Sequence, residues 1–197
     1  MLEPLPEWPT FGLAEDVRPV LAAAAAAGKP LVLATLVALG GGGPRPVGTQ
    51  MVFAQDLVAG YFSGGCVEGD IAGHAAACLD DGEPRRLIYG EGSPWPDIRL
   101  LCGARIEVFL ERIPAGDPAL SALLKLTKAR RPALWVSDGR KRACGPPGET
   151  ATWKEAIVRP YDPTPRLVVV GSDPTALAIA ALGAQSGFET TLVRPKG

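Results

Sequence analysis

Apolar residues along this chain recur with two periods, one typical of strands and the other of helices. Apolar or alternating runs bounded by turn residues predict strands over 31–39, 49–53, 57–62, 85–89, 105–112 and 133–136. Spacings of three and four residues predict helices over 15–27, over 117–129, and from Val67 to about Gly82. We therefore predict an α/β fold whose N-terminal domain contains a mixed sheet.

The chain changes in character at 160–165, where three prolines in six residues predict a stiff linker. After it come a strand-like apolar run over 166–171, a helical pattern over 175–186 and a second strand over 189–193. This β-α-β order opens doubly wound folds. The sequence thus predicts a cofactor-binding domain over 1–159, a linker over 160–165 and a partial Rossmann-like segment over 166–197.

The Rossmann-like segment departs from the dinucleotide fingerprint G-x-G-x-x-G/A. Asp173 stands at its second glycine position, where a carboxylate repels a pyrophosphate, and Arg194 replaces the acid expected at a ribose hydroxyl. NAD(P) is therefore not expected as a cofactor. Two strands and one helix cannot cover their own apolar residues, so we predict that the segment packs against a second copy of the chain in a homodimer.

Charge and hydropathy exclude two classes of partner. The 20 basic and 21 acidic residues give a formal net charge of −1, which provides no overall attraction to nucleic acid. No stretch approaches the ~20 apolar residues of a membrane span, and residues 1–7 lack the basic start of a signal peptide. We expect a cytoplasmic protein, with solvated surface at the short basic clusters 125–131 and 140–142.

Cys66 is the most informative of the four cysteines. It follows a glycine turn and precedes a predicted helix, where unsatisfied amides and the helix dipole lower a thiol pKa and favour anions. The local sequence fits equally well a small buried residue in a tight turn. Cys78 falls on the apolar stripe of the helix and is interpreted as core, with His74 beside it. Because no C-x-x-C pair occurs, structural zinc is not expected.

Three segments taken together resemble the XdhC/CoxI family of xanthine dehydrogenase accessory factors. They are Gly43-Pro44-Arg45-Pro46-Val47-Gly48-Thr49-Gln50-Met51, Ser63-Gly64-Gly65-Cys66-Val67-Glu68 and Cys102-Gly103-Ala104-Arg105-Ile106-Glu107-Val108. The resemblance is strong over about residues 15–113, and the piece from Arg166 resembles the start of that family's Rossmann domain. Ala104 replaces a family glycine, and Asp173-Pro174 replaces glycine and histidine in the Rossmann loop.

The resemblance implies a cytosolic protein that binds molybdenum cofactor (molybdopterin) transiently. Such a protein protects the cofactor during sulfuration, with a cysteine desulfurase as partner. It then delivers the cofactor to a molybdenum hydroxylase apo-enzyme of the xanthine dehydrogenase or carbon monoxide dehydrogenase type.

The resemblance also implies a cofactor site on eight residues: Arg45, Ser63, Gly64, Gly65, Cys66, Glu68, Cys102 and Gly103. A terminal phosphate needs anion donors, which the amides of Gly64 and Gly65 and the Arg45 guanidinium suit. Cys66 is the first candidate for a sulfur ligand to molybdenum, and Cys102 the second. Since Glu68 opposes an anion in front of the helix, we expect the phosphate nearer Arg45 than the helix axis.

This interpretation describes a cofactor chaperone rather than a turnover enzyme. One alternative is a sulfur-transfer or redox enzyme that uses a Cys66 persulfide or disulfide. The other is an NAD(P)-dependent oxidoreductase, against which the broken fingerprint argues.

Overall fold

A computed structural model describes residues 16–43, 45–54, 57–65, 67–93, 100 and 103–196. The helices are α1 (Arg18–Ala26), α2 (Glu68–Asp81), α3 (Pro118–Lys128) and α4 (Pro174–Gln185). The strands are β1 (Leu31–Gly40), β2 (Gln50–Ala54), β3 (Leu57–Ala59), β4 (Arg85–Tyr89), β5 (Arg105–Ile113), β6 (Ala133–Ser137), β7 (Arg142–Gly145), β8 (Ile157–Tyr161), β9 (Arg166–Val170) and β10 (Glu189–Val193).

The largest sheet has five strands in the order β3-β2-β1-β5-β4, and each described neighbouring pair is antiparallel. The prediction of a mixed sheet in the N-terminal domain is therefore wrong. Helix α2 connects β3 at one border of this sheet to β4 at the other, so two strands joined by a helix do not pair with each other.

Strand polarity brings several strand ends to one edge of the five-stranded sheet. The ends of β1, β3 and β4 point to the same side of the sheet as the beginnings of β2 and β5, with the pairings Gly40↔Arg105 and Tyr89↔Ile106 at the ends of β1 and β4. We call this the loop edge, defined by Gly40, Gln50, Ala59, Tyr89 and Arg105. The segments that follow β1 and β3 and the one that precedes β5 all start or finish at it.

Two apolar clusters lie on the two faces of this sheet. On one face, Ile71, Ala75 and Cys78 of α2 pack against β1, β4 and β5 residues that include Leu36 and Val108. Cys78 is fully buried, as its place on the apolar stripe predicts. On the other face, α1, α3 and strands β6 and β8 enclose a second cluster around Leu33 and Trp135.

A three-stranded antiparallel sheet, β7-β6-β8, contains two strands that the sequence pattern does not predict. Gly145, predicted to lie in a loop, ends β7. Pro160 and Tyr161, the first residues of the predicted linker, belong to β8. A proline is tolerated there because β8, among the strands of the described residues, pairs with β6 alone and lies at the border of its sheet. The proposed division into domains stays a prediction.

The basic cluster at 140–142 is not uniformly solvated, because the side chain of Arg142 is only 9% exposed. Its guanidinium donates to Glu111 at 3.1 Å, to Asp117 at 2.9 Å and to the carbonyl of Arg112 at 2.8 Å. Glu111 also accepts from Trp135 and Ser137. The prediction of solvated surface is therefore wrong for Arg142, which connects β5, β7 and the start of α3.

The C-terminal part forms a β-α-β unit in which β9 and β10 pair in parallel, from Arg166↔Glu189 to Val170↔Val193. These bounds agree closely with the sequence prediction. Asp173 is the N-cap of α4, and its carboxylate accepts from the backbone N–H of Ala176 at 2.8 Å. No helix of the described residues is long and apolar enough to cross a membrane.

Candidate functional site

The loop edge brings together the described parts of the three sequence motifs. Arg45, after β1, donates to the Tyr61 hydroxyl at 3.3 Å, and its guanidinium carbon lies 4.8 Å from the centroid of that ring. A Cβ placed on Gly41 would lie 3.4 Å from the carbonyl oxygen of Gly103. Arg45 of the first motif therefore contacts the segment that precedes Ser63, and Gly41, two residues before this motif, approaches the segment that precedes β5. Cys66 and Cys102 lie outside the described residues.

Two glycines allow these segments to approach the strands closely. Gly60 and Gly90 have φ of +86° and +87°. A Cβ on Gly60 would lie 2.1 Å from the carbonyl oxygen of Gln50, and one on Gly90 would lie 2.1 Å from that of Ala104. Strand β3 ends at Ala59, directly before Gly60, so the predicted strand over 57–62 is too long.

The carboxylate of Glu68 occupies the centre of the turn that precedes α2. The side chain is buried, and its two oxygens accept hydrogen bonds of 2.6–3.2 Å. Oε1 accepts from the backbone N–H groups of Phe62, Ser63 and Gly64, and Oε2 from those of Gly65 and Val67 and from the Ser63 hydroxyl. We call these five N–H groups the amide cradle.

The hydrogen bonds of the cradle favour the ionised form of Glu68. Burial alone would raise its pKa, but the donors of Ser63 and Phe62 lower it to about 2. Negative charge at the first turn of α2 also interacts favourably with the helix dipole. The carboxylate is therefore the anion that this turn binds.

The sequence predicts that the amides of Gly64 and Gly65 bind a cofactor phosphate, and this assignment stays a prediction. Both amides donate to Glu68, at 3.2 and 2.8 Å. The sequence predicts Glu68 to be a charge in front of the helix, whereas its side chain folds back into the turn. An acidic residue at the first helical position after a glycine turn is the signal that could have revealed this.

A second carboxylate, Asp70, joins the first turn of α2 to the end of β4. The Tyr89 hydroxyl donates to Asp70 at 2.6 Å, and Nε2 of His74 lies 3.6 Å from the same oxygen. Burial, reinforced by Asp70, raises the pKa of Tyr89. The sequence pattern does not reveal this contact, because Asp70 and Tyr89 are 19 positions apart.

The first motif is also held from strand β8. Nε of Arg159 donates to the carbonyl of Gly48 at 2.6 Å. Gly48 has φ +90°, and a Cβ there would lie 3.2 Å from Cδ of Arg159, so the position favours glycine on both counts. An open cavity of ≈ 270 Å³ lies beside this contact, with Val47 and Arg86 also in its lining.

Metal binding through clustered side chains is not indicated in the described part of the chain, which holds no group of three or more His, Cys, Asp or Glu residues suited to a metal ion. Among the site residues that the sequence predicts, Arg45 brings a positively charged side chain to the loop edge. Stacked on Tyr61, it presents a planar guanidinium suited to a phosphate.

Comparison with known proteins now adds to this geometry. Residues 24–90 match the model of the XdhC and CoxI family. The molybdenum cofactor insertion chaperone PaoD of Escherichia coli (strain K12) is 35% identical over 184 residues, which cover 90% of this chain and 58% of PaoD. The segment 24–90 is therefore a segment of the XdhC and CoxI family type. The chain spans less than two thirds of the length of this curated relative.

The matched XdhC and CoxI segment contains Arg45 and the whole amide cradle, whereas Gly103 lies beyond its end. A crystal structure of a Bacillus halodurans protein, described as a xanthine dehydrogenase, has the same fold. It superposes with a TM-score of 0.70 at 21% sequence identity, covering 90% of this chain and 62% of that one. The α/β architecture with antiparallel sheets is thus shared with a solved structure.

Proposed function

We propose that this chain binds molybdenum cofactor and acts as a maturation chaperone for a molybdenum hydroxylase of the xanthine dehydrogenase or carbon monoxide dehydrogenase type. The observation that carries the proposal is the similarity to PaoD, a molybdenum cofactor insertion chaperone, over 90% of this chain. The same proposal includes protection of the cofactor during sulfuration, with a cysteine desulfurase as partner, and delivery of the cofactor to the apo-enzyme. A cytoplasmic location agrees with such a role.

The residues at the loop edge fit part of this cofactor well. The guanidinium of Arg45, held against the Tyr61 ring, suits the terminal phosphate, whereas the amide cradle already binds Glu68. We therefore place the phosphate at Arg45, and keep Cys66 and, second to it, Cys102 as candidate sulfur ligands. Gly103 contributes backbone next to Gly41. When bound, the cofactor supplies the redox-active metal that the partner enzyme uses.

We further propose that 166–197 is the beginning of a Rossmann-like domain without nucleotide-binding function. Two observations support this: β9 and β10 are parallel with α4 between them, and the carboxylate of Asp173 caps the helix at the place where a pyrophosphate would bind. The same segment is proposed to join two copies of the chain in a homodimer.

Mass spectrometry of the natively purified protein tests the proposed function directly. We expect a bound pterin, which Cys66→Ser loses in part while the circular dichroism spectrum stays unchanged, because the hydroxyl keeps the size but not the soft thiolate. Cys144→Ser is the matched control, since that half-buried thiol lies in β7. Absence of pterin under every purification condition would contradict the proposal, and a persulfide on Cys66 would favour the sulfur-transfer alternative.

A further inference from the structure

We propose that Glu68 is a positioning residue whose carboxylate fills the amide cradle and fixes the turn on both sides of position 66. The anionic groups of a bound ligand then lie outside the cradle, on the side of Arg45. The part that concerns the cofactor rests on the proposed function, whereas the part that concerns the turn does not.

The hydrogen bonds leave the cradle no capacity for a second anion. A backbone N–H group has one hydrogen to donate, and all five N–H groups of the cradle, together with the Ser63 hydroxyl, already donate to Glu68. Glu68 is only 5% exposed. A phosphate that entered the cradle would have to displace this carboxylate and then lie beside it, which like-charge repulsion opposes.

The turn has a backbone that needs such a fixed acceptor. Gly64 and Gly65 have φ of +84° and +128°, and a Cβ on either would meet nothing within 4 Å. Glycine is therefore required there for its backbone angles rather than for lack of space. Two flexible residues in succession cost conformational entropy when they are ordered, and the bonds to Glu68 offset that cost.

The chemistry of the cradle is specific to glutamate. Oε2 accepts from Gly65, Val67 and the Ser63 hydroxyl, which are all donors. In glutamine one of the two oxygens becomes an NH₂ group, which would face a set of donors. Aspartate is one methylene shorter and does not reach both sides of the turn. The hydrogen bonds to Glu68 therefore hold Ser63, Gly64, Gly65 and Val67 together as one unit.

Hydrogen exchange of the full chain, read at the backbone amides of 62–67 by NMR, tests this assignment. We expect exchange in Glu68→Ala to be at least about tenfold faster than in the wild type, since several bonds to a charged acceptor are lost. Sodium acetate should restore slow exchange by refilling the cradle. Asp80→Ala, which removes an exposed carboxylate from the same helix, should leave these amides unchanged.

Inorganic phosphate supplies a test that needs no variant. We expect phosphate, compared with chloride at equal ionic strength, to leave amides 62–67 of the wild type unchanged and to protect them in Glu68→Ala. Protection of the wild-type amides by phosphate would overturn the inference, as would unchanged exchange in Glu68→Ala. This result is independent of whether a pterin is found.

Retention of the pterin links the turn to the cofactor. If the proposed function holds, Glu68→Ala should lose pterin and acetate should restore it, which a general loss of stability would not allow. Full retention by Glu68→Ala, with its exchange accelerated, would refute the positioning role while leaving the proposed function intact.

Discussion

Arg45 and Glu68 show at the scale of single residues how an apparent anion site divides into two parts. Glu68 satisfies the backbone donors of the turn, and Arg45 brings a cation to the neighbouring surface through its contact with Tyr61. Under the proposed function, a ligand phosphate at the loop edge depends on a side chain rather than on helix amides. A substitution of Arg45 can therefore test this recognition without changing the backbone of the turn.

Arg45→Ala is expected to weaken binding of the phosphorylated cofactor more than binding of its dephosphorylated form. A charge-assisted hydrogen bond contributes about 1.5–3 kcal/mol, or roughly ten- to a hundredfold in Kd. Titration with both ligand forms measures the difference. Arg45→Lys keeps the charge but loses the planar fork, so an intermediate effect is expected. Equal losses for both forms, or a large fall in Tm, would mean that Arg45 only braces its loop.

At the scale of elements, the buried ion cluster of Glu111, Asp117 and Arg142 joins the two antiparallel sheets. Burial raises the pKa of Glu111, against the hydrogen bonds of Ser137, Arg142 and Trp135. Burial alone would lower the pKa of Arg142, but the two carboxylates, Glu111 foremost, raise it. The cation and its partners thus depend on one another inside the protein.

Arg142→Met should destabilise the fold by about 3–5 kcal/mol, because it leaves Glu111 and Asp117 without their buried cation. Urea unfolding, monitored by tryptophan fluorescence, measures this loss. Arg140→Ala is the matched control: that arginine pairs with Glu83 at the surface, and its loss should cost no more than about 1 kcal/mol. Equal stability of the two variants would show that the buried cluster contributes little.

The start of α1 forms a second connection between elements, and it depends on pH. The Asp16 carboxylate accepts from the backbone N–H, Nε and Nη2 of Arg18, whose Nη1 donates to the carbonyl of Asp162 at 2.7 Å. Burial alone would raise the pKa of Asp16, but the bonds from Arg18 lower it below 3.8, its ordinary value. A lowered pKa stabilises the fold at pH values above the unfolded value, and that stabilisation is lost as pH falls through the folded pKa.

Asp16→Asn should therefore be less stable than the wild type at pH 7, and the difference should shrink below about pH 4. Chemical denaturation of both proteins at pH 7, 4 and 3 gives the comparison. A difference that stays constant over this range would contradict an ionic contribution from Asp16.

At the scale of the whole molecule, the β9–α4–β10 unit is attached to the remainder mainly by polar contacts. Neither of the two large apolar clusters includes a residue of this unit. Arg130 donates to the carbonyl of Thr164 at 2.8 Å and pairs with Glu189. Val170 and Leu182 are 66% and 64% exposed, so the described residues leave apolar surface of the unit uncovered. Surface of this kind is typical of an interface.

We predict a homodimer in solution through this surface. Leu182→Glu should shift the protein towards monomer, because a charge would then lie in an apolar contact. Multi-angle light scattering at micromolar concentrations measures the mass, with Arg131→Glu, at an exposed position between α3 and β6, as the control. A wild-type monomer would show that this interface assignment is wrong.

Short-range chemistry explains what the sequence by itself determined. The helix α2 ends at Gly82, whose φ of +77° few other residues adopt, and α3 begins at Asp117, whose carboxylate accepts from Ala119 and Leu120. Strands β4 and β10 have the bounds that their apolar patterns predict. In each case the deciding groups lie within a few residues, so the signal is visible in the chain itself.

Tertiary structure alone decided the composition of the site and of the buried ion cluster. The sequence identified Arg45 and the glycine turn as candidate site residues. The contacts of Arg45 with Tyr61 and of Arg159 with Gly48, however, depend on which strands pair at the loop edge. Arg142 is buried because β7 brings it to Glu111, 31 positions away. A polar side chain takes whichever partner the folded chain offers, and residue order does not specify that partner.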